Sequence, residues 1–127
     1  MAYNMNKLHT IIETPSFIAD ARAAGLSEEE RRRIVDSLAV YPKAGDVIPG
    51  AGGARKVSFA GRGHGKRGGY RVITFYAAED VPVFLLNVFA KGDRVDLSQA
   101  ERNVLRQVLG ELVETYRRGV IFHVKGR

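Results

Sequence analysis

The chain contains no cysteine. Disulfide staples, thiol nucleophiles and Cys-type zinc sites are therefore excluded, and a reducing cytoplasm is the expected setting. No apolar run approaches the roughly 18 residues needed to cross a bilayer. The opening stretch MAYNMNKLHTIIETPSF lacks the continuous apolar core of a secretory signal, so neither export nor a membrane is expected. His9, His64 and His123 have no metal-ligand spacing to one another and the acids are scattered, so neither a metal nor another cofactor is expected. There is no P-loop, no dinucleotide-binding glycine fingerprint and no nucleophile elbow. GRGHGKRGG has a passing likeness to a phosphate loop. It lacks the GK[ST] ending and a following helix, which argues against nucleotide triphosphate binding.

One further absence is local. Between Ala51 and Arg71 there is no Asp or Glu, while Arg55, Lys56, Arg62, Lys66, Arg67 and Arg71 all fall there. The other 14 basic residues are matched by the 14 acids, so this segment holds the whole formal excess of +6. Glycines crowd the same stretch. A neutral body with one focused basic segment points to an anionic partner, with nucleic acid first among the choices. The plainer alternative is a solvated, flexible loop.

At 127 residues and 45% hydrophobic content, the chain reads as one packed domain over residues 1–127, with 118–127 as a C-terminal tail. His9 to Ile12 reads as a first strand. Thr14-Pro15 reads as a helix start, with Thr14 as N-cap, and Gly25 ends that helix. Ser27 and Glu30 form a capping box for a second helix, which Pro42 stops. Arg31-Arg32-Arg33 reads as a solvated face balanced by Glu28 to Glu30. Pro42 to Gly53 reads as a loop. Ala54–Phe59, Tyr70–Ala77 and Val81–Ala90 read as three meandering strands, the last buried on both faces. Ser98 and Glu101 start the last helix, Gly119 ends it, and Val120 to Val124 is either a tail or a short extra strand. The expected class is α+β: a small, mainly antiparallel sheet with two N-terminal helices and one C-terminal helix, in the order β-α-α-β-β-β-α.

With no metal expected, cations carry the chemistry. RNA is cut without metal if an enzyme activates the 2′-hydroxyl, stabilises the charge on the phosphorane and protonates the leaving 5′-oxygen. Arg and Lys supply the charge stabilisation, and a lysine of lowered pKa also moves protons. Strand alternation puts Arg71, Ile73 and Phe75 on one face and Asn87, Phe89 and Lys91 on one face of the next strand. Arg71 meets Lys91 only in a suitable register, which the sequence leaves open. A lone loop histidine is usually a surface residue. The glycines on either side of His64, with Lys66 two positions on, make it a candidate for RNA contact or for proton transfer.

Several linked motifs, spanning about Pro42 to Glu101, resemble the HigB-type branch of the RelE superfamily of bacterial toxins. They are Gly45-Asp46, Ile48, Gly50, Gly52-Gly53, Arg55-Lys56, Gly65 to Gly69 with Arg71, and Leu85-Leu86 with Lys91 and Asp96-Leu97. The resemblance implies a RelE-like fold and the toxin of a type II toxin–antitoxin pair. It implies a ribosome-dependent endoribonuclease that cuts mRNA and so inhibits translation. The implied partners are mRNA and ribosomal RNA on the bacterial ribosome, and a cognate antitoxin carrying a helix-turn-helix. By position, Arg71 is then the phosphate-stabilising arginine, Lys91 an active-site cation and Tyr76 a catalytic tyrosine. Arg55, Lys56, Arg62, His64, Lys66 and Arg67 bind mRNA or ribosomal RNA. The family pattern commonly has a tyrosine two positions before Lys91, where this chain has Phe89. Phenylalanine stacks on a base but moves no proton. The proton role then passes to Tyr76 or Lys91, or RNA is bound without being cut. A non-catalytic RNA- or ribosome-binding module, or a docking segment for an acidic protein, would use the same basic stretch.

Overall fold

The computed structural model describes residues 7–61, 69–94 and 96–125, the last six by backbone alone. Five strands and three helices follow in the order β1 (Ile11–Glu13), α1 (Pro15–Ala23), α2 (Glu28–Val40), β2 (Asp46–Val47), β3 (Arg55–Phe59), β4 (Tyr70–Phe75), β5 (Val83–Ala90) and α3 (Gln99–Lys125). The strands form one sheet in the order β1-β5-β4-β3-β2. β1 runs parallel to β5, and every other pairing is antiparallel. The α+β expectation holds, with a sheet of mainly antiparallel strands.

Local chemistry explains the helix ends. The Thr14 hydroxyl accepts from the Phe17 N–H at 3.2 Å, and Pro15 occupies the first turn, where its missing N–H costs nothing. The same hydroxyl donates to the Leu85 carbonyl at 2.7 Å, which ties the start of α1 to the sheet. Gly25, at φ +77°, ends α1. Its N–H reaches Arg22 O, and the Leu26 N–H reaches Ala21 O, satisfying two carbonyls left open at the helix end. Ser27 and Glu30 form a reciprocal capping box on α2, and Ser98 and Glu101 form another on α3.

The two faces of the sheet carry two apolar clusters. On one, Phe17 and Ala21 of α1 and Ile34 and Leu38 of α2 pack against Tyr70, Val72, Val83, Leu85 and Val88. On the other, Leu109 of α3 packs with Ile73, Phe75, Phe84, Leu86 and Phe89, joined by Ile48, Ala51 and Ala54 from the segment before β3. β4 and β5 are therefore covered on both sides, as their near-continuous apolar sequences require. Arg71 is the one residue of β4 that is not buried.

The structure departs from the sequence reading at three places. The segment from Pro42 to Gly53 contains β2, which pairs Asp46 with Lys56 and Val47 with Arg55. Gly45 allows this approach: a Cβ there, at φ +91°, would lie 2.3 Å from Lys56 O. Leu86 bulges from β5, because Ile73 pairs with Asn87 while Thr74 pairs with Leu85. Finally, Gly119 does not end α3, and Val120 to Val124 is neither a tail nor a strand but helix continuing to Lys125. A helix-stopping glycine adopts positive φ, which Gly119 does not. With ordinary helical backbone it costs the helix about 1 kcal/mol without breaking it.

Candidate nucleic-acid interface

Arg71 pairs with Ser58 of β3 on one side and Phe89 of β5 on the other. Directly paired residues share a face of the sheet. Phe89 belongs to the α3-side cluster, so Arg71 stands on that side, near the open end of the sheet. Its Nε is buried with no hydrogen-bond partner, and among the described residues no carboxylate pairs with its guanidinium. An arginine held in a central strand with its Nε unpaired suits an external anion. The open question of register is resolved by the Arg71–Phe89 pair. Lys91 lies two positions beyond Phe89, and its backbone N–H donates to Gly69 O at 3.0 Å. Arg71 and Lys91 are thus diagonal neighbours across β4 and β5, within reach of long side chains.

The segment leading into α3 brings further charges to this face. Lys56 pairs with Ile73 and so points to the same side as Arg71. Its Nζ donates to Asp96 Oδ2 at 3.0 Å. Arg102, in the first turn of α3, approaches that oxygen at 3.4 Å, and the Leu97 N–H donates to Oδ1 at 2.8 Å. Partial burial pushes the Asp96 carboxyl upward. The Leu97 N–H, Lys56 and the Arg102 charge outweigh it and hold the pKa below the usual carboxylate range. The Arg102 Nε is also buried without a partner.

Arg94 completes the group. A turn in which the Asp93 and Arg94 N–H groups both reach back to Ala90 O carries Arg94 over the Phe89 ring, 4.6 Å from its centroid. Its Nη2 donates to Glu101 Oε1 at 2.5 Å, the oxygen that also accepts from the Ser98 N–H. The Arg94 hydrogen bond is the largest influence on Glu101 and lowers its pKa, against the upward push of burial. Neither Arg94 nor Arg102 stood out in the sequence. Each sits beside an acid in a run of mixed charge, and only the chain path brings Arg94 over Phe89, the cross-strand partner of Arg71, and Arg102 to the Asp96 that holds Lys56.

Other sequence candidates lie elsewhere. Tyr76 follows the far end of β4 and packs toward the α1/α2 side, its ring 5.4 Å from that of His9 and 5.3 Å from Lys43 Nζ. It lies five residues along the chain from Arg71, about 16 Å in extended backbone. The structure therefore does not bring Tyr76 together with Arg71 and Lys91. A hollow of about 500 Å³ lies at that far end, lined in part by His9, Lys43, Tyr76 and Val81. Arg55 pairs with Thr74, and its Nη1 donates to Lys43 O at 3.0 Å, so it ties down the loop before β2. Arg62, His64, Lys66 and Arg67 lie outside the described residues. Among the described residues no group of three or more His, Cys, Asp or Glu is placed to hold a metal, and no helix is long and apolar enough to cross a membrane.

A flat basic face built from a sheet and the start of a helix suits a polyanion better than a small molecule. Residues 13–120, from β1 through most of α3, match the family model described as the RelE toxin of the RelE/RelB toxin–antitoxin system.

Proposed function

We propose that this chain, which belongs to the RelE toxin family, is a HigB-type, ribosome-dependent mRNA endonuclease that works without a metal ion and halts translation. Membership makes it the toxin of a toxin–antitoxin system and implies a cognate antitoxin. The finer reading rests chiefly on Arg71, the half-buried arginine of an otherwise buried strand, with its Nε unpaired. Lys56 and Lys91 are its diagonal neighbours in the sheet, and Arg94 lies over its cross-strand partner Phe89.

In this reading Arg71 binds the scissile phosphate and stabilises the charge that grows on its non-bridging oxygens. The 2′-oxygen of the preceding ribose attacks phosphorus and loses its proton, and the 5′-oxygen of the next nucleotide leaves and gains one. The products carry a 2′,3′-cyclic phosphate and a 5′-hydroxyl. Phe89 moves no proton, and Tyr76 lies too far along β4 to reach a phosphate held by Arg71. Proton transfer therefore falls to the lysines: Lys56 and Lys91 are both diagonal neighbours of Arg71, and Lys56 is restrained by Asp96. The glycine-rich segment with Arg62, His64, Lys66 and Arg67 holds mRNA or ribosomal RNA phosphates. A cognate antitoxin, a helix-turn-helix protein in this reading, silences the enzyme.

The test is primer extension on mRNA from a bacterial translation reaction. Wild-type protein should create new 5′ ends within the reading frame, only when ribosomes are present. Arg71→Ala and Lys91→Ala should lose them. Identical cleavage by all three proteins overturns the assignment of residues. Tight RNA binding by wild type with no new ends supports the non-catalytic RNA-binding module instead.

A further inference from the structure

Phe89 is the residue that departs from the resembling pattern, and the structure covers its ring with a guanidinium. The Arg94 guanidinium lies over it, 4.6 Å from the ring centroid. The Ala90–Arg94 turn places Arg94 from below, and Glu101 restrains it from the side through Nη2. Glu101 is itself fixed as the third residue of α3 by its capping box with Ser98. Phe89 is 9% exposed, whereas the Arg94 side chain keeps 39% of its surface in solvent. The ring is thus the buried layer and the guanidinium the outer one. A small hollow of about 120 Å³, lined by Asp20, Asn87, Phe89, Arg94, Leu97 and Glu101, opens beside the pair. Phe89 is also the direct cross-strand partner of Arg71.

We propose that the Arg94 guanidinium, supported on Phe89 and tied to Glu101, is a stacking platform for the nucleobase adjoining the phosphate that Arg71 holds. This rests on the reading of Arg71 as the phosphate-binding residue. RNA-binding proteins stack unpaired bases on aromatic rings and on guanidinium planes alike. A guanidinium does so best when its orientation is already restrained, because less rotamer freedom is lost on binding. Its charge also attracts the neighbouring phosphate. The Phe89–Arg94 pair thereby gives a stacking surface where the resembling pattern has a tyrosine, and leaves proton transfer to other groups. Asn87 and Asp20 stand at the edge of the hollow. They hydrogen-bond to each other at 3.0 Å, and Asp20 also accepts from the Val88 N–H.

Arg94→Lys is the discriminating variant, because lysine keeps the charge and loses the plane. Single-turnover cleavage of ribosome-bound mRNA is measured for wild type, Arg94→Ala and Arg94→Lys, all with matched thermal midpoints. Both variants should cut roughly fivefold to a hundredfold more slowly, the usual worth of one stacked base. The same assay is repeated with mRNA lacking the base on the 5′ side, or on the 3′ side, of the mapped cleavage point. On one of these abasic messages wild type should slow by a similar factor and Arg94→Lys should slow no further. A wild-type rate for Arg94→Lys overturns the platform, and so does an undiminished Arg94→Lys defect on both abasic messages. If wild type cuts nothing, the nuclease reading falls on its own. Binding of a single-stranded RNA containing 2-aminopurine then decides the platform. Fluorescence quenched by wild type but not by Arg94→Lys upholds it, and equal or absent quenching overturns it.

Discussion

Single residues in this protein show where folding and function make opposite demands. Thr74 is fully buried in the middle of β4, and its hydroxyl has no partner. It sits at the bulge, where the register with β5 shifts. An unsatisfied buried hydroxyl costs about 1–3 kcal/mol. Thr74→Val keeps the shape and removes that cost, so chemical denaturation should show a gain of about 1 kcal/mol. A loss of that size would mean the hydroxyl is satisfied after all. Asp96 illustrates the reverse case. Its pKa is depressed in the folded protein, so its ion pairs with Lys56 and Arg102 add stability above the ordinary carboxylate pKa. That contribution should disappear as pH falls through the lower, folded value. Asp96→Asn should therefore be less stable than wild type at neutral pH, with the difference shrinking below about pH 4. A gap that stays constant from pH 7 to pH 3 would rule out this linkage.

At the scale of elements, the helix starts were legible because they are written in adjacent residues. Thr14-Pro15, Ser27 with Glu30 and Ser98 with Glu101 each act within a single turn, and all three cap as their chemistry requires. The covered strands were legible from their apolar runs. The parallel β1–β5 pair and the two-residue β2 were not, because each depends on a distant partner and has little hydrophobic pattern of its own. Arg31 was read as balanced by its own helix, but it pairs with Glu13 of β1 at 3.0 Å. The site divides in the same way. Arg71 and Lys91 could be named from motif and charge, whereas Lys56–Asp96 and Phe89–Arg94 exist only because the segment before α3 crosses back over the sheet. Gly69 is the hinge from which β4 begins, at φ +71°, and a Cβ there would lie 2.1 Å from Phe59 O. Gly69→Ala should cost at least 1 kcal/mol in thermal or chemical unfolding, since both strain and collision oppose it. A stability equal to wild type would show that the β3–β4 connection can be rebuilt without this conformation.

On the scale of the whole molecule, the excess charge is not spread evenly. Lys56 of β3, Arg71 of β4, and Arg94 and Arg102 about the start of α3 gather on one side, with Asp96 and Glu101 as their counter-charges. Binding to single-stranded RNA should therefore fall steeply with salt. Each phosphate contact contributes about −0.7 to the slope of log affinity against log salt. Arg71→Ala should flatten that slope by about one contact, without changing the melting temperature greatly. An unchanged slope would place Arg71 outside the RNA path.

The most direct test of the account is the single-turnover rate of mRNA cleavage on translating ribosomes, measured side by side for wild type and Arg71→Ala. Removing one preorganised donor from a developing charge typically costs about 100- to 1,000-fold in rate. A loss of at least about that lower value is expected, in a variant that still folds and still binds the ribosome. Cleavage by Arg71→Ala at the wild-type rate would contradict it.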